Sequence, residues 1–165
     1  MKTETIILDY LEEENLFPKQ INNNTLEFGY AFSFPPGPRK APMQVIQPKQ
    51  KDFIIISLGI QIPEVYIQAL NTLDPEKKGK FFFEIRKFLL FKNFLFNFDL
   101  QNYRFQINDQ IFLKREKGIS KNSFFKIVRK IYNTGQYCNM ILAEFCAGKL
   151  DTKDLHDDLN PTFYS

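Results

Sequence analysis

Residues 26–34 read Leu26-Glu27-Phe28-Gly29-Tyr30-Ala31-Phe32-Ser33-Phe34, and this stretch decides the fold class. Large apolar residues occupy every second position, and small or polar residues fall between them. Since successive side chains of a β-strand point to opposite faces, the alternation predicts a strand over residues 25–34 with one face in the core. The chain then enters Pro35-Pro36-Gly37-Pro38, which ends the strand.

Four more strands are predicted on either side of a helical region, at residues 43–47, 53–60, 94–100 and 103–113. Residues 53–60 are apolar on both faces, which is typical of a central strand. In the last strand, Asn108-Asp109 is either a bulge or a turn, and the sequence alone does not decide between them.

Helices are predicted at residues 3–17, 63–73 and 75–92, and a final helix follows Ser120. Asp74 before Pro75 has the pattern of an N-cap followed by proline at the first helical position, and Ser120 is a second good N-cap. Asn133-Thr134-Gly135 is a position where the last helix can kink. The predicted fold is therefore α+β, with the order α-β-β-β-α-α-β-β-α and helices packed on one face of a five-stranded antiparallel sheet.

The helix at residues 75–92 is apolar nearly all round. Phe81, Phe82, Ile85, Phe88 and Leu89 fall on one broad face, whereas Phe83, Leu90 and Phe91 fall outside it. A domain of 165 residues has little room to bury a helix on every side, so this pattern predicts a surface shared with a partner.

Length and composition favour one domain at residues 1–150, followed by a polar tail at residues 151–165. The formal net charge is +3. It divides into −4 over residues 1–38, +10 over residues 39–149 and −3 over residues 150–165. A basic middle permits an anionic partner, although these charges can equally pair within the chain.

The residue types exclude several kinds of chemistry. A zinc site needs three or four ligands, but the chain has two cysteines and a single histidine, His156, in the polar tail. The same shortage removes a nucleophile–base pair, and no glycine-rich phosphate loop is present. We therefore predict no catalytic, cofactor-binding or metal-binding residues.

Cys138 and Cys146 are eight residues apart on one predicted helix. Their Cα atoms would lie roughly 12 Å apart at the helical rise of about 1.5 Å per residue. That separation is too long for a disulfide, so the thiols are expected to be free and buried. Free thiols, together with no signal-like or membrane-spanning run, predict a cytoplasmic protein with no membrane partner.

Two segments are candidate binding surfaces. The first is a basic cluster before and along the last helix, comprising Lys114, Arg115, Lys117, Lys126, Arg129 and Lys130. Such a cluster suits nucleic acid, but basic residues on one helix face more often form its solvated side. The second is the proline-rich loop with Phe34, Arg39 and Lys40, which is either a recognition surface or a stiff connector between strands.

Four short strings resemble a family of uncharacterised archaeal proteins. They are Phe32-Ser33-Phe34-Pro35-Pro36, Val45-Ile46-Gln47-Pro48-Lys49, Ile55-Ile56-Ser57-Leu58-Gly59-Ile60 and Ser120-Lys121-Asn122-Ser123-Phe124-Phe125. The order of elements over residues 5–145 also resembles the type III secretion chaperone-like fold. This resemblance implies a small α+β domain, often dimeric, whose better-known relatives by fold bind segments of other proteins. It brings no catalytic residue.

These observations together predict a non-enzymatic, chaperone-like or adaptor module that binds proteins or peptides and acts as a homodimer. The alternative is a nucleic-acid-binding accessory protein that uses the basic surface at residues 114–130.

Overall fold

A computed structural model describes residues 2–113 and 118–147, and the backbone of residues 162–164. Four helices and seven strands follow one another in these residues. Their bounds are α1 Thr3–Glu13, β1 Lys19–Gln20, β2 Leu26–Phe34, β3 Ala41–Pro48, β4 Phe53–Gln61, α2 Glu64–Thr72, α3 Pro75–Phe91, β5 Leu95–Asp99, β6 Arg104–Phe112, α4 Lys121–Cys146 and β7 Thr162–Tyr164.

The strands form one antiparallel sheet in the order β1-β2-β3-β4-β6-β5, and β7 pairs with β4 beside this path. The prediction of five strands was therefore wrong, because the path has six strands and β7 adds a seventh. β1 has two residues and is too short to show an alternating pattern. The α+β class and the central position of β4 are confirmed.

β6 passes through Asn108-Asp109 without a bulge or a turn. Its register with β4 is continuous from Phe53 opposite Phe112 to Gln61 opposite Arg104. The irregularity in the sheet lies instead in β2, where the register with β3 shifts between Leu26 and Phe28.

The helices pack on one face of the sheet, as predicted. On α1, Glu4 accepts a hydrogen bond from the Tyr30 hydroxyl of β2 at 3.1 Å. The Phe82 ring of α3 lies 6.3 Å from the Phe98 ring of β5. α4 crosses β4 at Gly135, where an added Cβ would lie 2.6 Å from a Leu58 methyl group. The core therefore lies between these helices and the apolar face of the sheet.

Both predicted N-caps are confirmed. The Asp74 side chain accepts a hydrogen bond from the Lys77 amide at 2.8 Å, and Pro75 begins α3. The Ser120 hydroxyl accepts a hydrogen bond from the Ser123 amide at 3.1 Å, at the start of α4. α4 then continues through Asn133-Thr134-Gly135 as one helix.

Candidate protein-binding surfaces

α3 divides its apolar residues between the core and the solvent. Phe81, Ile85 and Leu89 are buried, which agrees with the broad face that the sequence predicts. Phe83, Leu90 and Phe91 are exposed by 60%, 64% and 82% of their surface. The sequence therefore predicted correctly which side chains of α3 face away from the core.

Two apolar residues of α4 are also exposed. Tyr137 and Met140 are both exposed, and the Tyr137 ring lies 4.2 Å from the Phe88 ring of α3. We call the set of five exposed side chains the α3–α4 surface; its members are Phe83, Leu90, Phe91, Tyr137 and Met140.

A groove of about 320 Å³ lies between α3 and α4, and of the α3–α4 surface it includes Phe91 and Tyr137. Its lining comprises Glu84, Lys87, Phe88, Phe91, Tyr137 and Ile141. Glu84 and Lys87 form an ion pair at 2.8 Å on the groove wall. The groove thus combines an apolar floor with one acidic and one basic group, a composition that suits contact with another protein.

The structure describes three of the six residues of the predicted basic cluster, all on α4. Lys126 and Arg129 are exposed on α4. The Lys130 ammonium group instead pairs with the Asp109 carboxylate at 3.1 Å and lies 4.2 Å from the centre of the Phe94 ring. The Lys130 side chain therefore joins α4 to the sheet within the same chain.

Lys114, Arg115 and Lys117 lie outside the described residues, as does His156. Two statements therefore stay predictions: that Lys114, Arg115 and Lys117 extend the basic cluster, and that the His156 side chain is solvated.

The proline-rich loop docks onto α4. The Phe34 ring is half-buried and lies 5.6 Å from the Tyr132 ring, and the Tyr132 hydroxyl donates a hydrogen bond to the Arg39 carbonyl at 3.0 Å. Lys40 is exposed and borders a cleft at the β2 edge of the sheet. Phe34 thus anchors the loop, while Lys40 remains available to a ligand.

Sequence reasoning missed two residues at that same cleft, Phe17 and Lys19. Phe17 is 81% exposed, and its φ of +45° lies in the left-handed region of backbone conformation. The available signal was Phe17-Pro18 directly after a helix, since proline stops a helix and forces the chain to change direction.

The sheet face opposite the helices carries neutral polar side chains at its centre. Gln44, Ser57 and Asn108 lie side by side across β3, β4 and β6 in the register of the sheet. Further along the same face, Ile46 lies opposite Ile55 and Phe53 lies opposite Phe112, so the face is polar at its centre and apolar towards one end.

Within the described ranges, no group of three or more His, Cys, Asp or Glu side chains is placed to hold a metal ion. Both cysteines are free and buried, as predicted. Burial raises the pKa of Cys138 to about 12 and that of Cys146 to about 11, so both thiols stay protonated at neutral pH.

We expect Cys138 in the folded protein to react with a disulfide reagent at pH 8 roughly a thousandfold more slowly than an ordinary thiol, because its pKa is about 12 rather than 9.0. Time courses with and without denaturant measure this, and rapid reaction of the folded protein would contradict it.

Since the pKa is higher in the folded state, the unfolded state ionises first. The thiols therefore stop contributing to stability as the pH rises from about 9 towards 12.

Comparison with known proteins identifies the family. A family model described as an uncharacterised conserved protein, DUF2299, matches residues 3–142. The chain belongs to this family. The DUF2299 match confirms the prediction of an uncharacterised family.

The fold is shared with a solved structure of an uncharacterised protein from the archaeon Methanothermobacter thermautotrophicus. The TM-score is 0.76 at 20% sequence identity, and the match covers 87% of this chain and 98% of that one. At this identity the likeness shows the fold alone. A search of curated proteins gives no match. Among the described residues, no helix is long and apolar enough to cross a membrane.

Proposed function

We propose that this DUF2299 protein is a non-catalytic protein-binding module that acts as a homodimer through the α3–α4 surface. The observation that carries the proposal is the exposure of three large apolar side chains within nine residues of one helix, Phe83, Leu90 and Phe91. Water-exposed apolar clusters of this kind mark interaction surfaces more often than scattered single residues do.

The size of the α3–α4 surface suits a subunit contact. Aromatic side chains bury about 150–250 Å² each when fully covered, so the three partly exposed aromatic and two partly exposed aliphatic members together offer on the order of 500 Å². A standard interface buries about 800 Å² per partner, including a polar rim. The apolar side chains therefore supply the centre of such an interface, and the charged groups around them supply the rim.

The charges on α3 permit a two-fold contact. Glu84 and Lys87 lie one helical turn apart beside the groove. If two copies of α3 pack antiparallel across a two-fold axis, Glu84 of one copy can face the partner's Lys87, and the reverse pair forms by symmetry. Both groups lie at the rim, so they would set the register of the contact more than its strength.

A chaperone-like or adaptor role extends this proposal. It is supported by the resemblance in element order to the type III secretion chaperone-like fold, which is an analogy of fold and does not by itself fix function. The cytoplasm is the proposed location, because both cysteines are free and buried.

Light scattering of Leu90→Asp and Leu100→Asp tests the dimer. Leu90 belongs to the α3–α4 surface, whereas Leu100 is exposed by 47% in the turn between β5 and β6. We expect the unaltered chain and Leu100→Asp to have twice the mass of the 19.5 kDa chain at about 10 µM, and Leu90→Asp to have the mass of one chain.

A charged group placed in a buried apolar contact is expected to raise the dissociation constant at least about a hundredfold. A monomeric unaltered chain at about 100 µM would refute the proposed dimer. A Leu90→Asp variant that remains dimeric would show that the contact lies elsewhere.

Nucleic-acid binding is the second candidate, supported by the exposed Lys126 and Arg129 on α4. A filter-binding titration at low and high salt tests it. Affinity that falls with salt and is lost in Lys126→Glu with Arg129→Glu would favour it over the protein-binding proposal.

A further inference from the structure

The outer edge of β2 is covered over only part of its length by β1. Lys19 pairs with Ala31 and Gln20 pairs with Tyr30, and the Ile21 amide donates to the Gly29 carbonyl at 2.8 Å. Before Lys19 the chain leaves this edge, because the φ of +45° at Phe17 takes the backbone out of the extended conformation.

Ser33 is the next position on that edge. It lies opposite Pro42 of β3 in the register of the sheet. Proline has no N–H, so this is a non-hydrogen-bonded pair, and the Ser33 N–H and C=O point away from β3. Ala31, two residues earlier, has the same orientation and faces Lys19 of β1. No backbone hydrogen bond joins Ser33 to a described residue on its outer side.

A cleft of about 570 Å³ lies at this position, within the size range of ligand-binding sites. Its lining comprises Asn15, Leu16, Phe17, Lys19, Ala31, Phe32, Ser33, Pro36, Gly37, Lys40 and Pro42. Phe17 is 81% exposed beside it, and its φ of +45° turns the backbone away from the strand direction. The cleft thus offers an apolar ring next to an open strand edge.

The charge around the cleft has one sign. The bordering segments, residues 15–20 and 31–42, contain Lys19, Arg39 and Lys40 but no Asp or Glu. Neither Lys19 nor Lys40 forms an ion pair with a described residue. The nearby acidic residues Glu13 and Glu14 are both paired with Lys121, at 2.8 and 2.6 Å.

We propose that this cleft binds an extended acidic segment of a partner protein, which adds a strand to the outer edge of β2. Its main chain pairs with the N–H and C=O of Ser33, its Asp or Glu side chains lie near Lys19 and Lys40, and an apolar side chain packs on Phe17. Main-chain pairing supplies affinity and the alternating side chains supply specificity, as in other cases of strand addition.

The proposed peptide site is separate from the dimer contact. β1 and β2 form one end of the sheet order, whereas α3 packs at the other end, beside β5. The peptide proposal therefore stands or fails independently of the homodimer.

Fluorescence anisotropy with the full chain tests the proposal. The probe is a labelled pool of ten-residue peptides in which Glu alternates with Val, Leu or Phe, and the matched pool has Lys in place of Glu. We expect saturable binding of the Glu pool alone, weakened at least about tenfold by Lys19→Glu with Lys40→Glu. The matched control, Lys126→Glu with Arg129→Glu, is expected to change the affinity by less than about twofold.

Two measurements separate strand addition from simple charge attraction. Alternate amides of the peptide can be N-methylated at either the odd or the even positions. One of these two patterns is expected to abolish binding and the other to spare it, because only one edge of the peptide pairs with β2. Hydrogen exchange at the Ser33 amide is expected to slow at least about tenfold when the Glu pool is bound.

Several outcomes would overturn the proposal. The proposal fails if the Glu pool shows no saturable binding, or if the two pairs of charge variants lose affinity for it equally. It also fails if N-methylation leaves the affinity unchanged in both phases. Full competition by inorganic phosphate would indicate a site for a small anion instead. Loss of binding in Leu90→Asp but not in Lys19→Glu with Lys40→Glu would place the peptide on the α3–α4 surface instead.

Discussion

Phe81→Ala is expected to lower the free energy of unfolding by about 3–5 kcal/mol, because it removes a ring from the point where α3 joins the core. Phe81 is 1% exposed, and its ring centre lies 4.8 Å from that of Phe82 and 5.6 Å from that of Phe145 on α4. The loss combines the transfer of the ring out of the core with the cavity left behind.

Phe83→Ala is the matched control, since it makes the same change two residues along the same helix. Phe83 is 60% exposed, and we expect a change within about 0.5 kcal/mol. Urea unfolding of both variants in a Leu90→Asp background, which keeps any dimer out of the equilibrium, measures the difference. Similar losses in the two variants would show that α3 is not anchored through Phe81.

The same comparison separates stability from association. In the otherwise unaltered chain, Phe83→Ala is expected to weaken the proposed dimer while the folded protomer keeps its stability. The phenylalanines of α3 would then have two separable roles: Phe81 holds the helix to the core, and Phe83 contributes to the proposed dimer contact.

The parts of the fold that the sequence predicts are those set by local chemistry. The alternation in residues 26–34 identifies β2, because one buried face of a strand imposes a period of two. Asp74 and Ser120 mark helix starts, because each side chain satisfies an amide that the helix leaves unpaired. The nearly continuous apolar run at residues 53–60 predicts a central strand, and β3 and β6 do flank β4 on its two edges.

The contacts that the sequence does not predict join residues far apart in the chain. Tyr132 fastens the proline-rich loop through Arg39, at a separation of 93 residues. Asp109 of β6 forms an ion pair with Lys130 of α4. A residue that the sequence assigns to the basic cluster is thus held in a contact with the sheet. In neither pair does the sequence around one residue indicate which residue will be its partner.

The cleft at the β2 edge shows the same limit. Its charge comes from Lys19 and Lys40, which meet only when β1 is placed beside β2. The exposed edge at Ser33 follows from its pairing with Pro42, and that pairing is a property of the register rather than of either strand alone. A search of the sequence for charge therefore finds residues 114–130 and Lys40, but it does not place Lys19 beside Lys40.

Gly135→Val is expected to lower the free energy of unfolding by about 3 kcal/mol, because α4 crosses β4 at this glycine without room for a side chain. A Cβ there would lie 2.6 Å from a methyl carbon of Leu58 and 3.5 Å from one of Ile60. Leu58 is fully buried, so its side chain has little freedom to move aside. The expected fall in Tm is roughly 10 °C for a chain of this size.

Gly79→Ala provides the opposite control within α3. An added Cβ at Gly79 meets nothing within 4 Å, so the substitution is expected to raise stability by about 1 kcal/mol through helix propensity alone. Gly135→Ala gains the same propensity but also meets Leu58, so its stability is expected to fall below that of Gly79→Ala. If thermal unfolding shows equal gains for the two alanine variants, α4 does not approach β4 as closely as Gly135 requires.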